Sequence, residues 1–372
     1  MRDKGISEEE LFSFLTARKQ EDKDHRNILS SMCTLPHPVA VRAHSLFMET
    51  NLGDPGLFPG TVSLEQLLIS RLGTLFHHPG ACGYATTGGT ESNIQALRIA
   101  KATSKISSPN VVIPGSAHFS FKKACDMTGL EMRSVPLDEN YRADPDLFRR
   151  AIDSNTCCMV GIAGTTEYGM VDPIRELATI AMDHGIFFHV DAAFGGMVLP
   201  FLKGAPEFDF AIPGVMSIAV DPHKMGMSTI PAGCLLFRNE KDLCSLSVDT
   251  PYLTVKQEFT LSGTRPGGSV AGALAVLEYL GYEGMAAVVQ GCMKNTQRLI
   301  EGMESYGIQR IVTPDVNVAT FEAAAVPDPW QVSFTRNGHL RIICMPHVHA
   351  GIIEAFLKDI GEQYAEKADS FS

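Results

Sequence analysis

The chain has 372 residues, 45% of them hydrophobic, and a formal charge of −11, enough apolar mass for a large buried core. With no Lys/Arg-rich run or basic stripe, that charge argues against a nucleic-acid or anionic-membrane partner and leaves small-molecule chemistry. The opening segment Met1–Leu15 is charged and lacks the apolar region of a secretory signal, and no run approaches the roughly 18 to 20 apolar residues of a membrane span, so a cytoplasmic protein with no membrane partner is expected. The nine cysteines (Cys33, Cys82, Cys125, Cys157, Cys158, Cys234, Cys244, Cys292, Cys344) include no Cys-x-x-Cys pair. They read as reduced thiols, with neither a disulfide frame nor a metal site expected.

Taken in chain order, residues 7–24 carry helical periodicity with Glu8, Glu9 and Glu10 at the positive end of the dipole, which predicts an N-terminal arm helix. From about residue 63 to 265, short β-rich runs (Val111–Pro114, Cys157–Ile162, Ile186–Val190, Ser217–Val220, Gly233–Phe237) alternate with amphipathic stretches such as Glu91–Lys101 and Ile174–His184. That alternation predicts a mostly parallel sheet covered by helices on both faces. After Gly267-Gly268, a long Ala/Leu/Val-rich stretch from Val270, a strand-like Leu340–Cys344 and a closing helix from Ala350 predict a smaller α+β domain. The expected division is an arm over 1–50, a large domain over 51–268 and a small C-terminal domain over 269–372, without a flexible linker.

Three segments at the ends of these runs carry chemistry. Thr86-Thr87-Gly88-Gly89-Thr90-Glu91-Ser92-Asn93 opens a helix, and glycines leading into a helix N-terminus make a phosphate cradle of backbone N–H groups, to which Thr and Ser hydroxyls add donors. It matches neither a Walker loop nor the dinucleotide fingerprint. Phe187-Phe188-His189-Val190-Asp191-Ala192-Ala193 is an apolar strand ending in an acid, which faces the crevice where α/β proteins bind ligands. Ser217-Ile218-Ala219-Val220-Asp221-Pro222-His223-Lys224 delivers a lysine into apolar, Gly-rich surroundings, where desolvation turns an ammonium into a usable amine. Singly, these read as a turn, a cap and a surface lysine. Together, a phosphate loop, an acid about 100 residues on and a lysine 33 residues later match the needs of pyridoxal 5′-phosphate (PLP): a phosphate anchor, a partner for the ring nitrogen and an amine for the aldehyde.

On these motifs the chain resembles the group II PLP-dependent amino-acid decarboxylases, most nearly the archaeal L-tyrosine/L-aspartate decarboxylases, with sphingosine-phosphate lyases as more distant relatives. The similarity runs from Asn51-Leu52-Gly53-Asp54-Pro55-Gly56 to Leu340-Arg341-Ile342 and Met345-Pro346-His347. It implies the fold type I (aspartate-aminotransferase-like) architecture and decarboxylation of L-tyrosine to tyramine or of L-aspartate to β-alanine, with those products serving methanofuran and coenzyme A synthesis. It further implies Lys224 on the cofactor aldehyde, Asp191 on the ring nitrogen, His118 stacked on the ring and Thr165 touching it, with Gly88, Gly89, Thr90, Ala193, Ser217 and His223 around the cofactor and its phosphate. Gly263-Thr264-Arg265 resembles a piece contributed by the neighbouring subunit, which implies a homodimer with shared active sites. Tyr252 resembles the mobile-loop tyrosine that protonates Cα in aromatic amino-acid decarboxylases, and Arg341 resembles an arginine that meets the substrate carboxylate.

Alternatives within the resemblance are a carbon–carbon lyase on a phosphorylated amino alcohol, a transaminase, or a decarboxylase for glutamate or another amino acid; a catalytically dead homologue stands apart, since such copies usually lose the lysine or the acid. One departure is visible: between Asn317 and Trp330 the small domain looks short, with Glu322-Ala-Ala-Ala-Val-Pro-Asp-Pro where relatives carry a longer helix and strand.

Overall fold

The computed structural model describes residues 1–369. An arm helix α1 (Glu8–Lys19) precedes α2 (Pro38–Leu46) and α3 (Pro59–Leu75). The helix-and-strand alternation then gives β1 (Cys82–Thr86), α4 (Gly89–Ser104), β2 (Asn110–Pro114), α5 (Ser120–Thr128), β3 (Glu131–Val135), α6 (Pro145–Ala151), β4 (Thr156–Ile162), α7 (Ile174–Asp183), β5 (Phe187–Asp191), β6 (Val215–Val220) and β7 (Gly233–Phe237). These strands form one seven-stranded sheet in the order β1-β7-β6-β5-β4-β2-β3. Neighbours from β6 to β3 are parallel, and β7 runs antiparallel to both β1 and β6.

Parallel strands are sandwiched by their crossover helices and read as continuous apolar runs. Every residue of β2 and β4 is buried accordingly. Helix α7 buries Ile174, Leu177, Ala178 and Ala181 against the sheet, the i, i+3, i+4, i+7 spacing of one helix face. Helix α4 is different, because its first five residues also bury Glu91, Ser92 and Asn93. Polar side chains at that depth need partners, and their partners lie at the site.

A short α8 (Glu240–Leu243) leads to a hairpin of β8 (Val248–Asp249) and β9 (Gln257–Glu258). Helix α9 (Gly267–Ser305) is broken at Gly281, whose φ of 59° and ψ of −170° are not helical. Beyond it β10 (Val318–Phe321), β11 (Ser333–Phe334) and β12 (Leu340–Ile343) form an antiparallel sheet in the order β10-β12-β11, followed by α10 (Ala350–Asp369).

Three sequence expectations shift. The arm helix stops at Lys19 instead of running to 24, because Asp24 caps a separate turn over His25–Asn27. Helix α9 is long and apolar enough to cross a membrane by length and composition, although no such run was expected; its first half packs against α2 and α3 and buries Val270, Ala271, Ala273 and Leu274. Finally, β3 carried no strand signal, since as an edge strand it leaves Glu131, Met132 and Ser134 exposed. All nine cysteines are free thiols.

Candidate active site

At the carboxyl ends of the parallel strands lies a cavity of about 280 Å³, the crevice in which open α/β sheets bind ligands. Strands β1, β2, β4, β5 and β6 contribute, chiefly through the loops that follow them. The loop after β1 supplies Thr87, Gly88, Gly89 and Thr90; that after β2 supplies Ser116 and His118; that after β4 supplies Gly164 and Thr166; β5 and its loop supply Asp191, Ala193 and Phe194; and that after β6 supplies Asp221, His223 and Lys224.

The first of these loops is an anion cradle. Gly88 precedes α4 with φ of 148°, a conformation that side chains disfavour, and a Cβ there would come within 3.0 Å of the His223 ring. The first N–H groups of α4 have no intrahelical acceptor and point out of the helix end with the positive dipole. The hydroxyls expected to help them are mostly committed elsewhere: Thr86 Oγ1 lies 2.8 Å from Ser92 Oγ, while Thr87 Oγ1 donates to Glu91 Oε2 at 2.7 Å. What faces the cavity is therefore backbone N–H, Thr90 and the imidazole of His223, whose Nδ1 is 2.6 Å from the Ala232 carbonyl.

At the far wall Asp191 ends β5, 7% exposed. Its Oδ1 accepts the Ala193 N–H at 3.0 Å and its Oδ2 accepts from Asn93 Nδ2 at 2.8 Å. Buried carboxylates persist as charges only with such donors. Asn93, from the second turn of α4, also lines the cavity. The sequence places it at the end of the phosphate-loop segment without a role of its own. Lys224 lines the same cavity, its Nζ 3.2 Å from Asp221 Oδ2. Asp221, likewise unassigned from sequence, is almost fully buried, and its Oδ1 has no hydrogen-bond partner. His118 lies on the cavity wall, where burial pushes its pKa down and favours the neutral ring.

The structure thus gathers Gly88, Gly89, Thr90, His118, Asp191, Ala193, His223 and Lys224 around one cavity. It places other expected residues elsewhere. Thr165 is fully buried, its hydroxyl accepts the Met170 N–H at 3.0 Å, and its neighbours Gly164 and Thr166 line the cavity instead. Ser217 is also fully buried, its Oγ 2.8 Å from His189 Nδ1, because the parallel register sets Ser217 beside His189. Tyr252, in the β8–β9 hairpin, is 86% exposed. Gly263 and Thr264 are exposed, whereas the adjoining Arg265 is buried against Glu65 and the Ala85 and Leu52 carbonyls. Arg341, on β12, donates to Ser333 Oγ at 3.0 Å and to the Ser30 carbonyl at 3.4 Å, with its Nε buried and unpartnered.

Residues 49–321, the stretch holding every cavity-lining side chain, match the model of the pyridoxal-dependent decarboxylase conserved domain. The chain belongs to this family. Among similar curated proteins is a probable L-tyrosine/L-aspartate decarboxylase of Methanoregula boonei, 69% identical over 98% of this chain and 100% of the relative. Another of that name, from Methanosarcina mazei, is 47% identical over 98% of this chain and 99% of its own. Among solved structures, the sphingosine-1-phosphate lyase of Burkholderia pseudomallei superposes with a TM-score of 0.89 at 27% identity, covering 100% of this chain and 94% of its own. The glutamate decarboxylase of Lactobacillus brevis, at 21% identity and a TM-score of 0.89 over 98% and 94%, shares the fold. The family's fold is type I, its cofactor is PLP, and its reaction is amino-acid decarboxylation; all three hold for this enzyme.

The cavity's donor set fits PLP. A glycine-lined helix start suits a phosphate, a buried carboxylate with both oxygens already braced suits a protonated ring nitrogen, and a lysine lines the same cavity. Ser116 lines the cavity, and its Oγ is buried with no partner among the described residues. It is a polar group still to be satisfied, which is what a ligand-binding wall offers.

Proposed function

We propose that this decarboxylase acts on L-tyrosine, L-aspartate or both, yielding tyramine or β-alanine and CO2. The observation that carries the assignment of roles is that Lys224 and Asp191 face one small cavity from the ends of adjacent strands, with the α4 cradle on its third side. In this reading Lys224 holds the cofactor aldehyde, Asp191 holds the proton on the ring nitrogen, and His118 lies against the ring. The N–H groups of Gly88, Gly89 and Thr90, with His223, hold the phosphate. Bound there, PLP supplies an electron sink for the bonding pair released when CO2 departs.

Arg341 is the candidate for the substrate carboxylate. Its guanidinium has no carboxylate partner among the described residues, and it is held by Ser30, in a segment whose Cys33 lies within electrostatic reach of Lys224 and Asp221. An arginine left without an ion pair, its charge opposed by burial, gains most from an incoming carboxylate. For Tyr252, the exposure of its ring supports donation to the site of a second subunit, where its hydroxyl places the proton on Cα after CO2 leaves. Exposed Gly263 and Thr264 support the same homodimer. The names of the similar archaeal proteins support tyrosine and aspartate as substrates. The lyase reading lacks a comparable support, because no arginine and no lysine beyond Lys224 lines the cavity for a second phosphate.

The test is amine detection after the purified, PLP-loaded protein meets each of the twenty amino acids. Tyramine or β-alanine is expected as the dominant product. A different amine, or none, overturns the substrate assignment.

A further inference from the structure

Behind Asp191 the structure holds a line of side chains that the reaction does not touch. His189 lies two residues before Asp191 on β5, so both side chains point to the same sheet face, the one covered by α4. His189 is fully buried. Its Nε2 is 2.9 Å from Asn93 Oδ1 and its Nδ1 is 2.8 Å from Ser217 Oγ. Asn93 Nδ2 in turn reaches Asp191 Oδ2 at 2.8 Å and Ser120 Oγ at 3.0 Å.

The direction of every bond in this line follows from the carboxylate at its end. Ionised Asp191 can only accept, so Asn93 must turn its amide NH2 toward Asp191 and its carbonyl oxygen toward His189. A carbonyl oxygen can only accept as well, so His189 must carry its proton on Nε2. A neutral imidazole protonated there offers Nδ1 as an acceptor, and the Ser217 hydroxyl supplies the donor. Burial pushes the His189 pKa down to about 4, so the neutral ring is the form present at neutral pH. With the other tautomer, the Asn93 amide would be drawn round and its oxygen would face the Asp191 carboxylate.

We propose that His189 is a positioning residue for the cofactor: through Asn93 it fixes the amide orientation that keeps Asp191 ionised and aimed at the ring nitrogen, with Ser217 fixing the His189 tautomer. This rests on the reading of Asp191 as the ring-nitrogen partner. It gives Ser217 a task at the opposite end of the site from the phosphate, and it explains why a strand of otherwise apolar character carries a buried histidine.

The experiment measures the PLP dissociation constant and visible absorption spectrum of the wild type, His189→Leu, His189→Gln and Ser217→Ala. Each is compared with the analogue whose ring nitrogen is replaced by C–H. Glutamine sets an amide N–H near the place of Nε2, whereas leucine offers none. His189→Leu is expected to weaken PLP binding about tenfold and to alter the visible band, while His189→Gln stays within about twofold of wild type. On the analogue, which gives Asp191 nothing to bind, all four proteins should be equal. If His189→Leu does not fold, Ser217→Ala carries the comparison, with about threefold weaker PLP binding and no change on the analogue. Equal losses on PLP and analogue mean a merely structural histidine and overturn the proposal, as does unchanged PLP binding in His189→Leu. A wild type that binds both cofactors alike removes Asp191 from the ring nitrogen, a separate failure that overturns the earlier reading together with this one.

Discussion

The strand-end wall and the hairpin over residues 248–265 are two parts of one proposed site built on opposite principles. Around Asp191 the wall's polar groups brace one another: Asp191 by Ala193 and Asn93, Asn93 by Ser120 and His189, His189 by Ser217. In the hairpin, Tyr252 is 86% exposed and Val248 is 54% exposed, while the backbone is tied by Thr254 to Asp54 and Gly56 and at the root by the buried Arg265–Glu65 pair. The difference teaches that one chain suffices to preorganise the cavity around Asp191, whereas Tyr252, the residue proposed to deliver a proton, has its surroundings still to be supplied. A braced carboxylate needs no reorganisation at the moment of reaction, and an exposed loop can move to admit substrate.

Substitutions in the wall should therefore strike chemistry directly, and those in the hairpin should redirect it. The largest effect is expected for Lys224→Ala, which should lose about 10⁴-fold in turnover and all covalent linkage fixable by borohydride. Linkage surviving in that variant would place the cofactor on another amine. Asp191→Asn comes next. An amide cannot hold the ring nitrogen protonated, so turnover should fall about 10²-fold or more while the melting temperature changes little; steady-state kinetics beside a thermal melt separate the two. An undiminished rate would mean that another group protonates the ring.

Tyr252→Phe sharpens the comparison from the hairpin side. CO2 release should outlast amine formation, which falls by about 10²-fold, because the proton that misses Cα goes to the cofactor carbon instead and substrate leaves as aldehyde with pyridoxamine phosphate left behind. Paired CO2 and amine assays read this split, and equal losses of both would refute it. Mixed dimers of Lys224→Ala with Tyr252→Phe then ask whose tyrosine serves whose lysine. If the hairpin crosses to the partner, one site in each mixed dimer is whole and activity reappears. If it serves its own chain, every site lacks one group and activity stays at the parental background.

What the sequence made legible follows the same division. Asp191 and Lys224 were readable because each follows an apolar run, and such a residue lies at a strand end; His118 came only with the family resemblance. Asn93 and His189 were not, being 96 residues apart in the chain and each ordinary alone. A signal was available in the period-2 relation of His189 to Asp191, which sets an imidazole on the acid's face of a buried strand, where it needs partners. Ser217 was given to the phosphate by the family resemblance alone, and the β5–β6 register that sets it beside His189 is a property of the folded sheet. For Tyr252 and Gly263, surface exposure is decided by tertiary packing and leaves no local trace.

The smallest expected effect tests the wall through stability. His189 binds a proton near pH 6.5 when unfolded but resists it until about pH 4 in the native state, because burial outweighs the attraction of Asp191. Between those values the unfolded chain holds more protons, so the His189 contribution to stability falls as pH drops, by about 2 kcal/mol from pH 7 to pH 5. Asp172 acts with the opposite sign. Burial pushes its pKa up to about 7, so the native state takes up a proton before the unfolded chain does and gains stability over the same interval. The net slope of the wild type is thus a poor reporter, but Asp172 is common to wild type and His189→Gln and cancels between them. Urea melts of both loaded proteins at pH 7 and pH 5 should show the wild type losing about 2 kcal/mol more than the variant. Parallel losses would mean that the imidazole takes up its proton in the native state as readily as in the unfolded chain; Nε2–H would still face Asn93 Oδ1, but Nδ1 would then donate to Ser217 Oγ, and Ser217 would have no tautomer to fix.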